Sequence, residues 1–437
     1  MNTKDATTRS EQDLPGCCLQ FIPHRSSFLL LSCLSLWSPT LRGAAAMRIE
    51  FRTGAGVVAL RSADARQQLL ATGAGDLDLT GVVAWTVEPP GIASVDAAGR
   101  VTPRTDGEAT IIARTAAGEE ARLRVVVSGG DQPQPIHFAN QIVPVFTKYG
   151  CNGGGCHGKA SGQNGFRLSL LGFEPSEDYE HLVKEARGRR LFPAAPERSL
   201  LLTKSTAQLP HGGGRRMEPG SDDYNLLVRW ISQGMPVGAA DAPTVARLEV
   251  FPAGRTLPLN GGQQLVVTAH YTDGSTEDVT RSALYEPNDK DMASVDAFGR
   301  VTVFNQPGAV AVMVRYQSKV GVFRGTVPLG APVTALPRSR NFVDDLVFAQ
   351  WKRVGLPPSA VADDETFLRR VTLDLAGRLP TEPELAAFRE DLRRRQETAL
   401  PLSSDQRPQE PLPETAAARD AVIERLLASG DYADVFA

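Results

Sequence analysis

Cysteine is nearly missing from this chain. Its 437 residues include five, and three of these, Cys17, Cys18 and Cys33, stand close to the N-terminus. So small a supply excludes a compact secreted fold stapled by many disulfides. A surplus of one charge sign is lacking too. Lys and Arg total 47 against 50 Asp and Glu, a net charge of −3 with no basic block, which excludes general affinity for nucleic acid. Long apolar runs are also absent after the first forty residues, so no later segment reads as a transmembrane helix. No Ser-His-Asp order, carboxylate pair or phosphate-binding glycine loop stands above background, and hydrolase or kinase chemistry finds no local support. The rest of the composition, 42% hydrophobic and 22% charged, is that of ordinary globular protein, with length enough for several domains.

The N-terminus reads as an export leader over residues 1–46. Arg25 precedes the apolar run from Phe28 to Trp37, and Ala44-Ala45-Ala46 offers a small-residue cleavage site. The stretch Met1 to His24 ahead of the run is long for a leader and suggests a start codon placed too early. Leu30-Leu31-Ser32-Cys33 loosely matches a lipid-anchor signal, but apolar residues continue after Cys33. The expected location is outside the cytoplasm, periplasmic or on the cell surface.

A repeat follows. Ile92 to Thr102 recurs as Met292 to Thr302, identical except at Ile92/Met292 and Ala98/Phe298. Each copy reads as a hairpin: a strand ending in Ser-Val, a turn opened by Asp, a Gly suited to the left-handed region, then Arg-Val-Thr in the next strand. Strand-like runs follow each copy, and Gln67-Gln68-Leu69 and Gln263-Gln264-Leu265 precede them at similar distances. Short alternating strands in units of this size indicate small β-sandwiches at 47–130 and 243–330. Both resemble the bacterial immunoglobulin-like group 2 domain. That resemblance implies a module that spaces other domains or binds a cell-surface glycan, with the spacer role preferred.

Between the repeats, residues 136–240 read as helical. Ile136 to Tyr149 is a candidate helix. Ser221 is a good N-cap with Asp222 and Asp223 behind it, Leu226, Leu227, Trp230 and Ile231 form a stripe, and Gly234 stops the helix. The first helix leads into Cys151-Asn152-Gly153-Gly154-Gly155-Cys156-His157. Two thiols followed at once by histidine suit covalent haem c, the thiols joining the porphyrin vinyl groups and His157 ligating iron. The usual spacing is two residues; here it is four, three of them glycine, which permits a tight loop. A Cys151–Cys156 disulfide is the main alternative in an exported protein. A zinc site lacks a second cysteine pair, and a thioredoxin-like pair prefers two intervening residues. For a second iron ligand Met217 is preferred and His211 is the alternative; His137, His181 and His270 read as ordinary. Lys159, Arg215 and Arg216 could pair with propionates but read more simply as a solvated loop.

After Pro337 a helical period returns in Phe342, Leu346 and Ala349 and again in Leu368, Val371 and Leu375, with a Pro/Ser/Glu/Gln-rich loop over Gln396 to Thr415. Together Cys151 to Lys159, Pro210-His211-Gly212-Gly213-Gly214 and the block Phe367 to Pro380 resemble the large exported cytochrome-domain proteins of planctomycete-type bacteria. The resemblance implies a multidomain fold: two all-β Ig-like sandwiches flanking an all-α cytochrome c-like domain at 136–240, then the first, truncated part of a helical domain of unknown function at 338–437. The expected function is electron transfer by one covalent haem c held by Cys151, Cys156 and His157, with an unidentified redox protein as partner. Two alternatives stand: a cell-surface scaffold or glycan-binding Ig-like protein with a Cys151–Cys156 disulfide, and a haem-dependent oxidative enzyme.

Overall fold

The computed structural model describes residues 46–52, 56–334, 336–398 and 413–437. The expected leader with its three cysteines, apart from residue 46, lies outside the described residues, as does most of the expected Pro/Ser-rich loop.

The two repeats fold alike. In the first, strands Val58–Leu60, Glu120–Val127, Gly107–Arg114 and Ala84–Glu88 form one sheet in that order. Gln67–Gln68, Arg100–Pro103 and Ala93–Val95 form another. The second copy repeats both orders with Gly254–Thr256, Lys319–Val327, Gly308–Tyr316 and Leu284–Pro287, and with Gly262–Gln264, Arg300–Val303 and Ala293–Val295. In each the first strand of the larger sheet runs parallel to its neighbour.

The repeated hairpin forms as its residues require. Asp96 Oδ1 accepts from the amides of Ala98 and Arg100, and Asp296 Oδ1 from those of Phe298 and Arg300. Gly99 has φ +79°, and a Cβ there would stand 2.8 Å from the Leu69 carbonyl oxygen. Both conformation and space therefore demand glycine. Inward residues of alternating strands build a separate core for each repeat: Leu60, Leu69, Ile111 and Val125 in the first, and Leu265, Val267, Val312 and Phe323 in the second.

The repeats dock on each other reciprocally. Asp78, its side chain wholly buried, accepts from the Gln264 amide at 2.5 Å and pairs with Arg300. Asp278 accepts from the Gln68 amide and, at 3.0 Å, from the Gln67 side chain. Gln67–Gln68 and Gly262–Gln264 are edge strands, so each repeat caps the exposed sheet edge of the other.

The segment between the repeats departs from expectation. It is not an all-α domain. The expected helix from Ile136 to Tyr149 does form over residues 138–148, wound as a π-helix at Phe138–Ile142 and as an α-helix at Val143–Lys148. Pro144, which has no N–H to donate, sits where the winding changes. Beyond Leu200–Ser205 and Asp222–Ser232, most of the segment is turns and extended loop. The last helix does start and stop as the sequence implies: Ser221 Oγ accepts from the Tyr224 amide and Gly234 has φ +80°. Its stripe packs inward, with Trp230 fully buried beside Phe138, ring centroids 5.4 Å apart. The insert is tied to both repeats, by Arg229 to Asp64 (2.7 Å) and Arg100 to Asp222 (2.6 Å) on one side, and by the Tyr316 hydroxyl donating to the Asn140 carbonyl (2.7 Å) on the other.

Helices then take over: Phe342–Val354, Asp364–Ala376, Glu382–Thr398, Pro413–Leu427 and Gly430–Phe436. Asn341 and Asp363 cap the first two, and Gly355 and Gly377 end them in the left-handed region. Leu368, Phe388, Ala418, Val422 and Leu426 form their core. The fold is thus β-sheet up to Val327, interrupted by a loop-rich insert, and α-helical from Phe342. Among the described residues no helix is long and apolar enough to cross a membrane.

Candidate functional site in the insert

The cysteine loop is a tight knot of backbone. Gly150 has φ +68°, the His157 amide donates to the Cys151 carbonyl (3.0 Å), and the Gly158 amide to that of Gly153 (3.0 Å). A Cβ on Gly158 would fall 1.9 Å from the Asn152 carbonyl oxygen, so the crossing exists only because glycine stands there. Asn152, fully buried, donates through its side chain to Thr147 Oγ1 at 2.9 Å and pins the knot to the preceding helix.

The knot brings Cys151, Cys156 and His157 to one wall of a cavity of about 190 Å³, which His211 also lines. Phe146, Phe166, Leu168, Leu200 and Leu201 give it an apolar surface. Arg189, Arg190, Lys204 and Arg216 line it as cations. His157 Nδ1 lies 3.0 Å from the Phe166 carbonyl oxygen, and His211 Nδ1 lies 2.9 Å from that of Gly214. A carbonyl can only accept, so Nδ1 carries the proton in both rings and Nε2 is the basic nitrogen. The rings are nearly parallel, 8° apart, with centroids 6.5 Å apart. Burial lowers the His157 pKa below the usual histidine value. Burial pushes the Cys151 thiol up to about 11, so it is protonated at neutral pH and a poor nucleophile. Arg216 reaches to 3.6 Å from Cys156 Sγ.

Met217 is placed elsewhere. It is 4% exposed, packed in the insert core with Trp230 and Leu227, and it does not line the cavity. His211, the alternative named from the sequence, does. The sequence offered a signal for this: His211 lies in a glycine-rich loop that can fold over the cysteines, whereas Met217 directly precedes a helix whose apolar stripe needs covering. His137, His181 and His270 lie outside the cavity, as do Lys159 and Arg215; Arg215 pairs with Glu218 on the surface (2.8 Å).

Two observations correct the expected electron-transfer cytochrome and the oxidative haem enzyme beside it. The insert is not the helical enclosure such a protein uses. Its cavity, about 190 Å³, is below the range of about 300–1,000 Å³ usual for pockets that bury a small organic ligand, and a porphyrin is large among such ligands.

No curated protein matches the chain. Among solved structures it is similar to domains 5–6 of the S-layer protein SbsC, at 11% identity and TM-score 0.25, covering 64% of this chain and 97% of that one. The longer S-layer structure rSbsC(31-844) aligns at 11% identity and TM-score 0.18, covering 66% of this chain but only 28% of that one. Mouse cadherin-23 EC22-24 aligns at 9% identity and TM-score 0.15, covering 64% of each chain. At these scores the likenesses carry no argument about function. The planctomycete-type cytochrome resemblance is corrected accordingly: the family match falls on the C-terminal helices alone, where residues 342–437 match PSCyt2, a protein of unknown function (DUF1549).

Proposed function

We propose that this chain is a non-enzymatic scaffold of the cell exterior, in which two docked Ig-like modules hold the insert between them and carry the C-terminal helices. The observation that carries the reading is the reciprocal docking of Asp78 and Asp278 on the opposite repeats. Two modules joined by a long insert have no need to touch; buried carboxylates placed on each other's backbone amides fix their relative position, which is the task of a spacer. Export accords with the leader-like N-terminus; Cys151 and Cys156, both free in this structure and both on the cavity wall, would on oxidation to a disulfide lock the knot that shapes that wall.

Two measurements on protein from its native host test this. Cell fractionation with protease shaving should find the chain outside the cytoplasm, and intact mass should show the mature chain lighter by two hydrogens, with no free thiol. A cytoplasmic location refutes the scaffold reading. Two free thiols, or added tetrapyrrole mass on the cysteines, refutes the disulfide.

A further inference from the structure

The insert cavity carries charge of one sign. Arg189, Arg190, Lys204 and Arg216 line it, and no Asp or Glu does. Arg190 is already engaged. It donates to the carbonyls of His181 (2.7 Å) and Gly165 (2.6 Å), and Glu185, outside the cavity, lies 3.9 Å from it. The other three meet no carboxylate among the described residues. Lys204 Nζ donates to the Pro210 carbonyl (2.8 Å), which uses one of its three protons. Arg216 reaches the Tyr149 carbonyl at 3.4 Å and Cys156 Sγ at 3.6 Å. Arg189 is exposed and has no ion pair among the described residues. Lys204 and Arg216 are half-buried, so all three remain accessible to a ligand. The positive charges also act on one another: beside burial, the charges of His211 and Arg190 lower the His157 pKa. A cleft lined by one sign of charge gathers ions of the other sign.

The rest of the wall narrows the ligand. Phe146 and Leu168 are buried, and Phe166, Leu200 and Leu201 are half-buried. The free thiols of Cys151 and Cys156 behave as small hydrophobes. Phe166 is held between His157, with ring centroids 4.6 Å apart, and the Arg190 guanidinium, 4.6 Å from its ring centre. Inorganic phosphate or sulfate would satisfy the cations and leave this apolar surface uncovered; a neutral apolar molecule would do the reverse. A molecule with one acidic head and an apolar body uses both. The volume, about 190 Å³, lies below that of pockets for drug-sized ligands, which limits the body to one ring or a short chain. Guanidinium forks match a planar carboxylate.

We propose that the insert cavity binds a small apolar monocarboxylate, its body against Phe146, Phe166 and Leu201 and its carboxylate taken up among Arg189, Lys204 and Arg216. The inference goes beyond the scaffold reading and does not rest on it. An exported chain that binds no such acid keeps the scaffold and loses this site, and a cytoplasmic chain that binds one does the opposite.

The experiment is calorimetric titration of the full chain with benzoate and with hexanoate, against benzamide, which lacks the charge, and acetate, which lacks the body. At least one of the two acids should bind tenfold or more tightly than both controls. The ring signals of His157 should shift on its addition, which places it in this cavity. Arg189→Gln combined with Lys204→Gln should weaken binding at least tenfold at an unchanged melting temperature. If the double variant melts lower, Arg189→Gln alone replaces it, since that side chain has no ion pair to lose, with several-fold weakening expected. Failure of both acids to bind at millimolar concentration overturns the proposal. So does equal binding of benzamide or acetate, an unmoved His157 signal, or unchanged affinity in the folded variant.

Discussion

Replacing Asp278 by alanine tests the reciprocal docking most directly. The side chain accepts two bonds from the other repeat, from the Gln68 amide and the Gln67 side chain, and one from the Thr280 amide of its own at 2.8 Å. Gln68 is 3% exposed, so water cannot readily replace the lost acceptor. At about 1.5 kcal/mol for each bond to a charged acceptor, the two inter-repeat bonds amount to about 3 kcal/mol. Desolvation takes some of this back, since burial pushes the Asp278 pKa upward, making 3 kcal/mol an upper figure. It corresponds to roughly a 150-fold weaker docking equilibrium. The informative probe is not Gln68, which loses its acceptor outright, but the Gln264 amide, whose acceptor Asp78 is untouched. If the two halves of the contact act as one, Asp278→Ala should speed hydrogen exchange at Gln264 by up to two orders of magnitude. Faster exchange at Gln68 with Gln264 unchanged would refute the idea that the two contacts close together.

Glu277 gives a pH-dependent prediction. Burial, opposed by the Tyr271 hydroxyl bond and assisted by the nearby charges of Asp278 and Asp64, raises its folded pKa above the ordinary 4.5. Its contribution is therefore fully present below that value and is lost as pH rises through the raised one; Glu277→Gln should flatten this part of the stability–pH curve, and an unchanged curve contradicts the assignment. His157 should titrate by NMR below the usual 6.5, and a midpoint above it would contradict the buried placement. Gly158→Ala should cost on the order of 3 kcal/mol in insert stability, because its Cβ meets backbone rather than a movable side chain; a melting temperature equal to the parent's would refute the crossing. Trp230→Ala should cost about 3–5 kcal/mol, read as loss of the insert's cooperative unfolding while the repeats' transition persists.

The parts legible in the sequence were those fixed by neighbours along the chain. The Asp96 and Asp296 turns, the Ser221 cap and the Gly234 stop each depend on residues within a few positions, and each formed as expected. What escaped depends on distant partners. Nothing beside Asp78 and Asp278 in the sequence marks them out; only the folded chain puts them on edge strands about two hundred residues away. The helix expected from Ile136 to Tyr149 forms over residues 138–148, but Pro144, which has no N–H to donate, sits where its winding changes from π to α. Cys151, Cys156 and His157 share a cavity wall because they are close in sequence, while His211 reaches the cavity through its own loop and Met217 packs beneath the Trp230 stripe, placements set by distant partners.

The reciprocal contact carries a consequence for the origin of the chain. Each repeat bears both an aspartate that grips and a glutamine strand that is gripped, so one unit contains every element needed to pair with its own duplicate about a two-fold axis. Before duplication such a pair would assemble only as concentration allowed. Joining the copies in one polypeptide makes the encounter intramolecular, with an effective concentration set by the connection rather than by expression level. The long insert then occupies the one connection that pairing leaves free to grow, so a new domain could be added there without disturbing either sandwich.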